Sequence, residues 1–100
     1  MKYYSYGNIV RVLNEGAEDV KPYMVDVNIE TAEVMSEFDG SSQFDAVFIR
    51  SFLNILKFSK VGFRVLDECK VEDMVLRQQA SNILAGNERI ALRMATLQRR

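Results

Sequence analysis

The stretch from residue 43 to 58 limits the fold more than any other part of this sequence. At 100° per residue its polar side chains, Gln43, Arg50, Asn54 and Lys57, fall on one narrow stripe. Phe44, Val47, Phe48, Ile49, Phe52, Leu53, Ile55 and Leu56 cover most of the remaining surface. A helix this apolar has to be covered on two sides. That predicts a central helix with a sheet on one flank and later helices or a second subunit on the other. Ser42 followed three residues later by Asp45 marks its start, with the acid near the positive end of the helix dipole. At 100 residues there is room for one core, so residues 1–100 are expected to form a single domain.

The clearest strand signal lies upstream. Pro22 biases Lys21 to extended geometry, and Tyr23, Val25, Val27 and Ile29 then alternate with Met24, Asp26, Asn28 and Glu30. The apolar set is expected to lie on helices and the acids Asp26 and Glu30 to face solvent, as in an antiparallel sheet covered on one side. Before it, Tyr4, Tyr6, Val10 and Val12 share one parity, weakened by Gly7 and Asn8 and ended by Asn14-Glu15-Gly16. Residues 3–13 therefore read as one strand, pairing with residues 23–29 across a long loop.

Further along, Ala32, Val34, Met35 and Phe38 read either as a short helix, the preferred reading, or, with Val34 and Ser36, as a continuing extended strand, closed in both cases by Asp39-Gly40. Behind Gly62, Val61, Phe63 and Val65 alternate for one brief strand that can add to the sheet, and Asp67 or Glu68 marks the next helix start. Leu76, Ala80, Ile83, Asn87, Ile90, Met94 and Leu97 recur at steps of four and three, a heptad-like seam. Gly86-Asn87 splits it into helices near residues 70–85 and 88–99, with Asn87 as the second N-cap. The alternative is one continuous helix with Asn87 turned inward. The fold class that results is α+β: a small antiparallel sheet, made of the N-terminal hairpin and a short third strand, packed on a buried central helix and one or two C-terminal helices.

Function is bounded first by what is missing. The chain has no histidine, the commonest general base and zinc ligand, and one cysteine, which suits a reducing, cytoplasmic setting. Its longest unbroken apolar run, Ala46 to Ile49, is far too short to span a bilayer, so no membrane association is expected. Glu68 and Glu72 share a helix face but are explained by the helix dipole. Cys69 among acids is a core or inert thiol, and Gly40-Ser41-Ser42 lacks the lysine of a phosphate loop. No catalytic residues, metal or cofactor are expected, and the chain reads as non-enzymatic.

Charge is distributed unevenly. Up to Asp45 there are three basic and nine acidic residues, net −6; from Ala46 there are ten basic and five acidic, net +5. The two halves can face each other within one fold, or the acidic half can dock on a basic surface of a protein partner. In the second reading Glu15, Glu18, Asp19, Asp26 and Glu30 carry the contact. In size, acidity and want of catalytic groups the chain resembles the phage- and plasmid-encoded inhibitors that occlude nucleic-acid-handling machines, anti-CRISPR proteins among them. That resemblance implies an inhibitor or adaptor. A second expectation is a homodimer built on the central helix and the C-terminal seam. A third is nucleic-acid binding through Arg77, Arg89, Arg93, Arg99 and Arg100, which a pI near 5.4 disfavours.

Overall fold

The computed structural model describes residues 1–16, 21–40, 47–49, 51 and 63–98. Within them the chain forms β1 (Lys2–Tyr6), β2 (Ile9–Asn14), β3 (Tyr23–Asn28), β4 (Glu33–Asp39), β5 (Arg64–Val65), then helices α1 (Val71–Gly86) and α2 (Glu88–Gln98). The strands make one sheet in the order β4-β3-β2-β1-β5, antiparallel throughout. The molecule is thus α+β, with α1 packed on β2, β3 and β4 and α2 packed on α1. No helix among the described residues is long and apolar enough to cross a membrane.

Residues 3–13 are not one strand. Gly7, at φ +56°, and Asn8 form a two-residue turn with glycine first, and β1 folds back on β2 with Tyr6 opposite Ile9 and Tyr3 opposite Val12. Tyr4 and Val10 therefore lie on opposite faces. β2 then pairs with β3, Val12 opposite Val25, so the expected pairing with residues 23–29 holds for the second half of the segment alone.

Residues 31–38 are not a helix either. Val34 and Phe38 lie in β4, which pairs with β3, and the register shifts so that Ser36 faces Asp26 and Val34 faces Val27. Met35 is the extra residue of a bulge. Gly40 closes the strand: its N–H donates to the Pro22 carbonyl at 2.6 Å, and a Cβ there would lie 2.6 Å from the same oxygen. No other residue fits without moving the start of β3.

Both faces of the sheet carry core. On the helical side Val10, Val12, Tyr23, Val25 and Val27 pack with Leu66, Ala80, Leu84 and Ile90. On the other side Tyr4, Leu13 and Met24 pack with Ile49, flanked by Phe38 and Phe63. Residues 47–49 and 51 are helical, and Phe48 stacks on Phe38 with ring centroids 4.5 Å apart. The rest of the expected central helix, with its start at Ser42, lies outside the described residues, as does Gly62.

The second covered face overturns the expectation for Asp26. It is buried, and its carboxylate accepts hydrogen bonds from Arg11 Nε at 2.6 Å, Arg11 Nη2 at 2.7 Å and Ser36 Oγ at 3.1 Å. Arg11 in turn lies over the Phe63 ring, 4.4 Å from its centroid. A charged pair here is neutralised within the fold and joined by two hydrogen bonds, as burial requires.

The C-terminal region is two helices. Asn87 alone is extended between them, and its Oδ1 accepts the Ile90 N–H at 3.1 Å as the N-cap of α2. The first helix starts later than expected. Asp67 begins a turn, accepting the Cys69 N–H on its side chain and the Lys70 N–H on its carbonyl, and α1 begins at Val71.

Candidate protein-docking surface

The joint between β4 and α2 decides which charges remain available. Glu37 and Asp39 face the helices from β4, while Arg89 and Arg93 lie one turn apart on α2. Two strand residues advance about 6.7 Å and four helix residues about 6 Å, so the two ladders match in step. Arg89 Nη2 donates to Glu37 Oε2 at 2.5 Å, Arg93 Nη2 donates to Asp39 Oδ2, and the Arg93 guanidinium lies over the Tyr23 ring. The Arg89 guanidinium holds the Glu37 carboxyl below the usual glutamate range, against the opposing effect of burial. Burial, reinforced by the Glu37 carboxylate, pushes the Tyr23 hydroxyl well above the usual range.

A pH dependence follows from Glu37. Because its folded-state pKa is lowered, the stability it contributes is complete above the ordinary value of 4.5 and is lost as pH falls through the lowered folded value. Urea midpoints measured from pH 7 to pH 2 should fall more for the native chain than for E37Q over that acid range; parallel curves would mean the Arg89 contact does not hold the carboxyl down.

A second set of pairs fixes the corner between β5 and α1. The buried Asp73 accepts from Arg64 Nη1 at 2.5 Å and from the Asp67 N–H at 3.0 Å, and Arg64 holds its carboxyl below the usual range. Arg77 pairs with Glu68 at 2.7 Å and lies over the Tyr3 ring. All five arginines among the described residues that carry a described side chain, Arg11, Arg64, Arg77, Arg89 and Arg93, thus meet a carboxylate.

What remains is mostly acidic. Among the described residues Glu30, Glu33, Asp67, Glu72 and Glu88 are exposed and make no ion pair, and the same holds for the base Lys70. A cleft of about 490 Å³ opens between the β3–β4 turn and the α1–α2 junction, lined by Ala32, Val34, Asn82, Ile83, Gly86 and Asn87. In sequence Glu33 stands between two of the lining residues, Glu88 follows Asn87 and Glu30 lies in the turn leading to Ala32, but none of the three lines the cleft, and strand alternation turns Glu33 to the face opposite Val34. The turn is held by Asn28 Oδ1, which accepts the N–H groups of Glu30 at 2.9 Å and Thr31 at 3.1 Å, and by Asn8, whose amide donates to the Glu30 carboxylate. Ala32 sits at φ +60°, a left-handed conformation that costs a non-glycine residue about 1 kcal/mol. The lip of the cleft therefore has a defined, slightly strained shape.

Of the acids expected to dock, only Glu30 lies here. Glu15 pairs with Lys2 at 2.6 Å, Asp26 is buried on Arg11, and Glu18 and Asp19 lie outside the described residues. Of the basic set, Arg77, Arg89 and Arg93 are paired internally, and Arg99 and Arg100 lie outside the described residues. Sequence reasoning missed Glu33 and Glu88 as site residues, the first because it was assigned to a helix and the second because a first-turn acid is ordinary. Cys69 is exposed rather than core. No group of three or more potential metal ligands occurs among the described residues. Comparison with protein-family models, with curated proteins and with solved structures finds no match to this chain.

Proposed function

We propose that the chain is a non-enzymatic protein-binding module, an inhibitor or adaptor that docks its acidic end on a basic surface of a partner. The observation that carries this reading is the charge left over after folding. The described arginines are each committed to a carboxylate, whereas the exposed acids Glu30, Glu33, Asp67, Glu72 and Glu88 make no ion pair, Glu30, Glu33 and Glu88 being sequence neighbours of the turn and junction that frame one cleft. Carboxylates of one sign at a concave site steer a cationic partner and select against anionic ones. The stem of a partner's lysine or arginine can lie on the apolar Val34 and Ile83 that line the cleft while its charge is drawn by the exposed carboxylates nearby in the chain. A partner that handles nucleic acid presents such a basic face, and covering it would block the nucleic acid. The exposed thiol of Cys69 suits a reducing, cytoplasmic setting for this role.

A deca-lysine peptide tests the surface without knowledge of the partner. Titration at low salt should give binding that weakens steeply as salt is raised, and E33Q/E88Q should weaken it roughly fivefold to tenfold. E72Q, which removes an exposed acid elsewhere, should leave it unchanged. Equal binding by E33Q/E88Q and the native chain would remove the cleft from consideration.

A further inference from the structure

We infer that the junction at Asn87 is a two-state hinge through which two copies of this chain can exchange their C-terminal helices. The helical interruption is a single residue: Asn87 has φ −101° and ψ 105°, with helix on both sides. The hydrogen-bond ladder almost bridges it, since the Asn87 N–H donates to the Leu84 carbonyl at 3.1 Å and the Ala91 N–H donates to the Asn87 carbonyl at 2.8 Å. Returning one residue to helical geometry makes residues 71–98 a single helix. In that helix Leu76, Ala80, Ile83, Asn87, Ile90 and Met94 follow an unbroken heptad step, a regularity that a mere pair of short helices does not require.

The contacts that hold α2 in place are all of a kind a second copy also offers. Ile90 and Met94 enter the helical-side core, and Arg89 and Arg93 reach carboxylates 52 and 54 residues earlier in the chain. In an exchanged dimer α2 of each chain lies on the partner's sheet, and every one of these contacts is remade. The freed Asn87 side chain, no longer a cap, takes the inward seam position near the twofold axis. There two amides can hydrogen-bond each other and fix the register. Association entropy and the lost Asn87 cap oppose the exchange, and because the exchanged form is bimolecular the dimer grows with concentration.

Charge reversal makes the exchange selective. A chain carrying R89E/R93E repels its own β4, and a chain carrying E37K/D39K repels its own α2. Each alone should sediment as an 11.5 kDa monomer. Mixed in equal amounts at about 100 μM after brief mild denaturation, they should form a species of twice that mass, because only exchange lets each α2 meet an opposite charge. Independently, N87L removes the cap and favours the continuous helix, so it should raise the dimer fraction of the otherwise native chain at least tenfold. A mixture that remains monomeric, with N87L monomeric as well, overturns the proposal. So does dimerisation of either reversed chain alone, since that contact would not depend on the exchanged pairs.

Discussion

Replacing Asp26 by alanine is expected to cost about 3–5 kcal/mol, because it takes the bidentate Asp26 carboxylate away from the nearly buried Arg11 guanidinium. The neutral contacts that stay, Phe63 across one face of the guanidinium and the hydroxyl of Ser36 nearby, cannot replace a bidentate pair. Against a total stability of roughly 5–15 kcal/mol, this is enough to bring the domain close to unfolding. The penalty belongs to the buried charge left with a poorer set of partners and not to the loss of a favourable bond. Removing both charges with R11M/D26L should therefore leave the urea midpoint near the native one. If D26A unfolds within about 1 kcal/mol of the native chain, the pair is solvated and the second face of the sheet is open to water.

Ile90→Ala should follow closely, at about 2–5 kcal/mol. Ile90 is the one α2 side chain, among the described residues, that is completely buried, and it enters the same cluster as Val25, Val27, Ala80 and Leu84. Its loss opens a cavity between α2 and the sheet that the strands, locked by their ladders, cannot collapse to fill. Hydrogen exchange resolves where the damage goes: α2 amides should lose protection well before those of β2 and β3. Uniform loss across sheet and helix would show that α2 does not open separately.

How much of this was legible in the sequence can be seen at particular residues. β3, the Asn87 cap and the brief strand near Val65 follow from local chemistry: clean alternation after Pro22, a capping side chain after Gly86, and branched residues in alternation. The β1–β2 hairpin was hidden because a two-residue turn reverses parity. Residues facing each other across it sum to an odd number, so Tyr3 joins Val12 on one face, whereas a straight strand would group Tyr4 with Val10. β4 was hidden by its bulge. The extra residue, Met35, puts Val34, Met35 and Phe38 at spacings that imitate a helix, although Val34 and Phe38 serve opposite faces of a sheet.

The site was less legible than the fold, for a related reason. An alternating strand with acids on one parity signals a solvent-facing side, and Asp26 fits that pattern until the opposite face is found to be covered. Arg11 stands directly across from it in the β2–β3 register, a pairing that can be read only after the hairpin is placed correctly. Likewise, the opposed charge of the two halves is plain in the composition, but its division into internal pairs and leftover carboxylates depends on β4. With residues 31–38 taken as helix, Glu37 and Asp39 have no common ladder to offer Arg89 and Arg93. As a strand they do, and Glu30, Glu33 and Glu88 are among the carboxylates that remain.

The account stands on the closing of opposite charges between β4 and α2, and one stability measurement tests it directly. Urea unfolding of R89E/R93E, run dilute so that the chain stays monomeric, should show a lowered midpoint, and adding E37K/D39K to the same chain should restore most of the loss. If the four-site variant is no more stable than R89E/R93E, the two ladders do not recognise each other through charge, and the acidic end cannot be defined by what they leave behind.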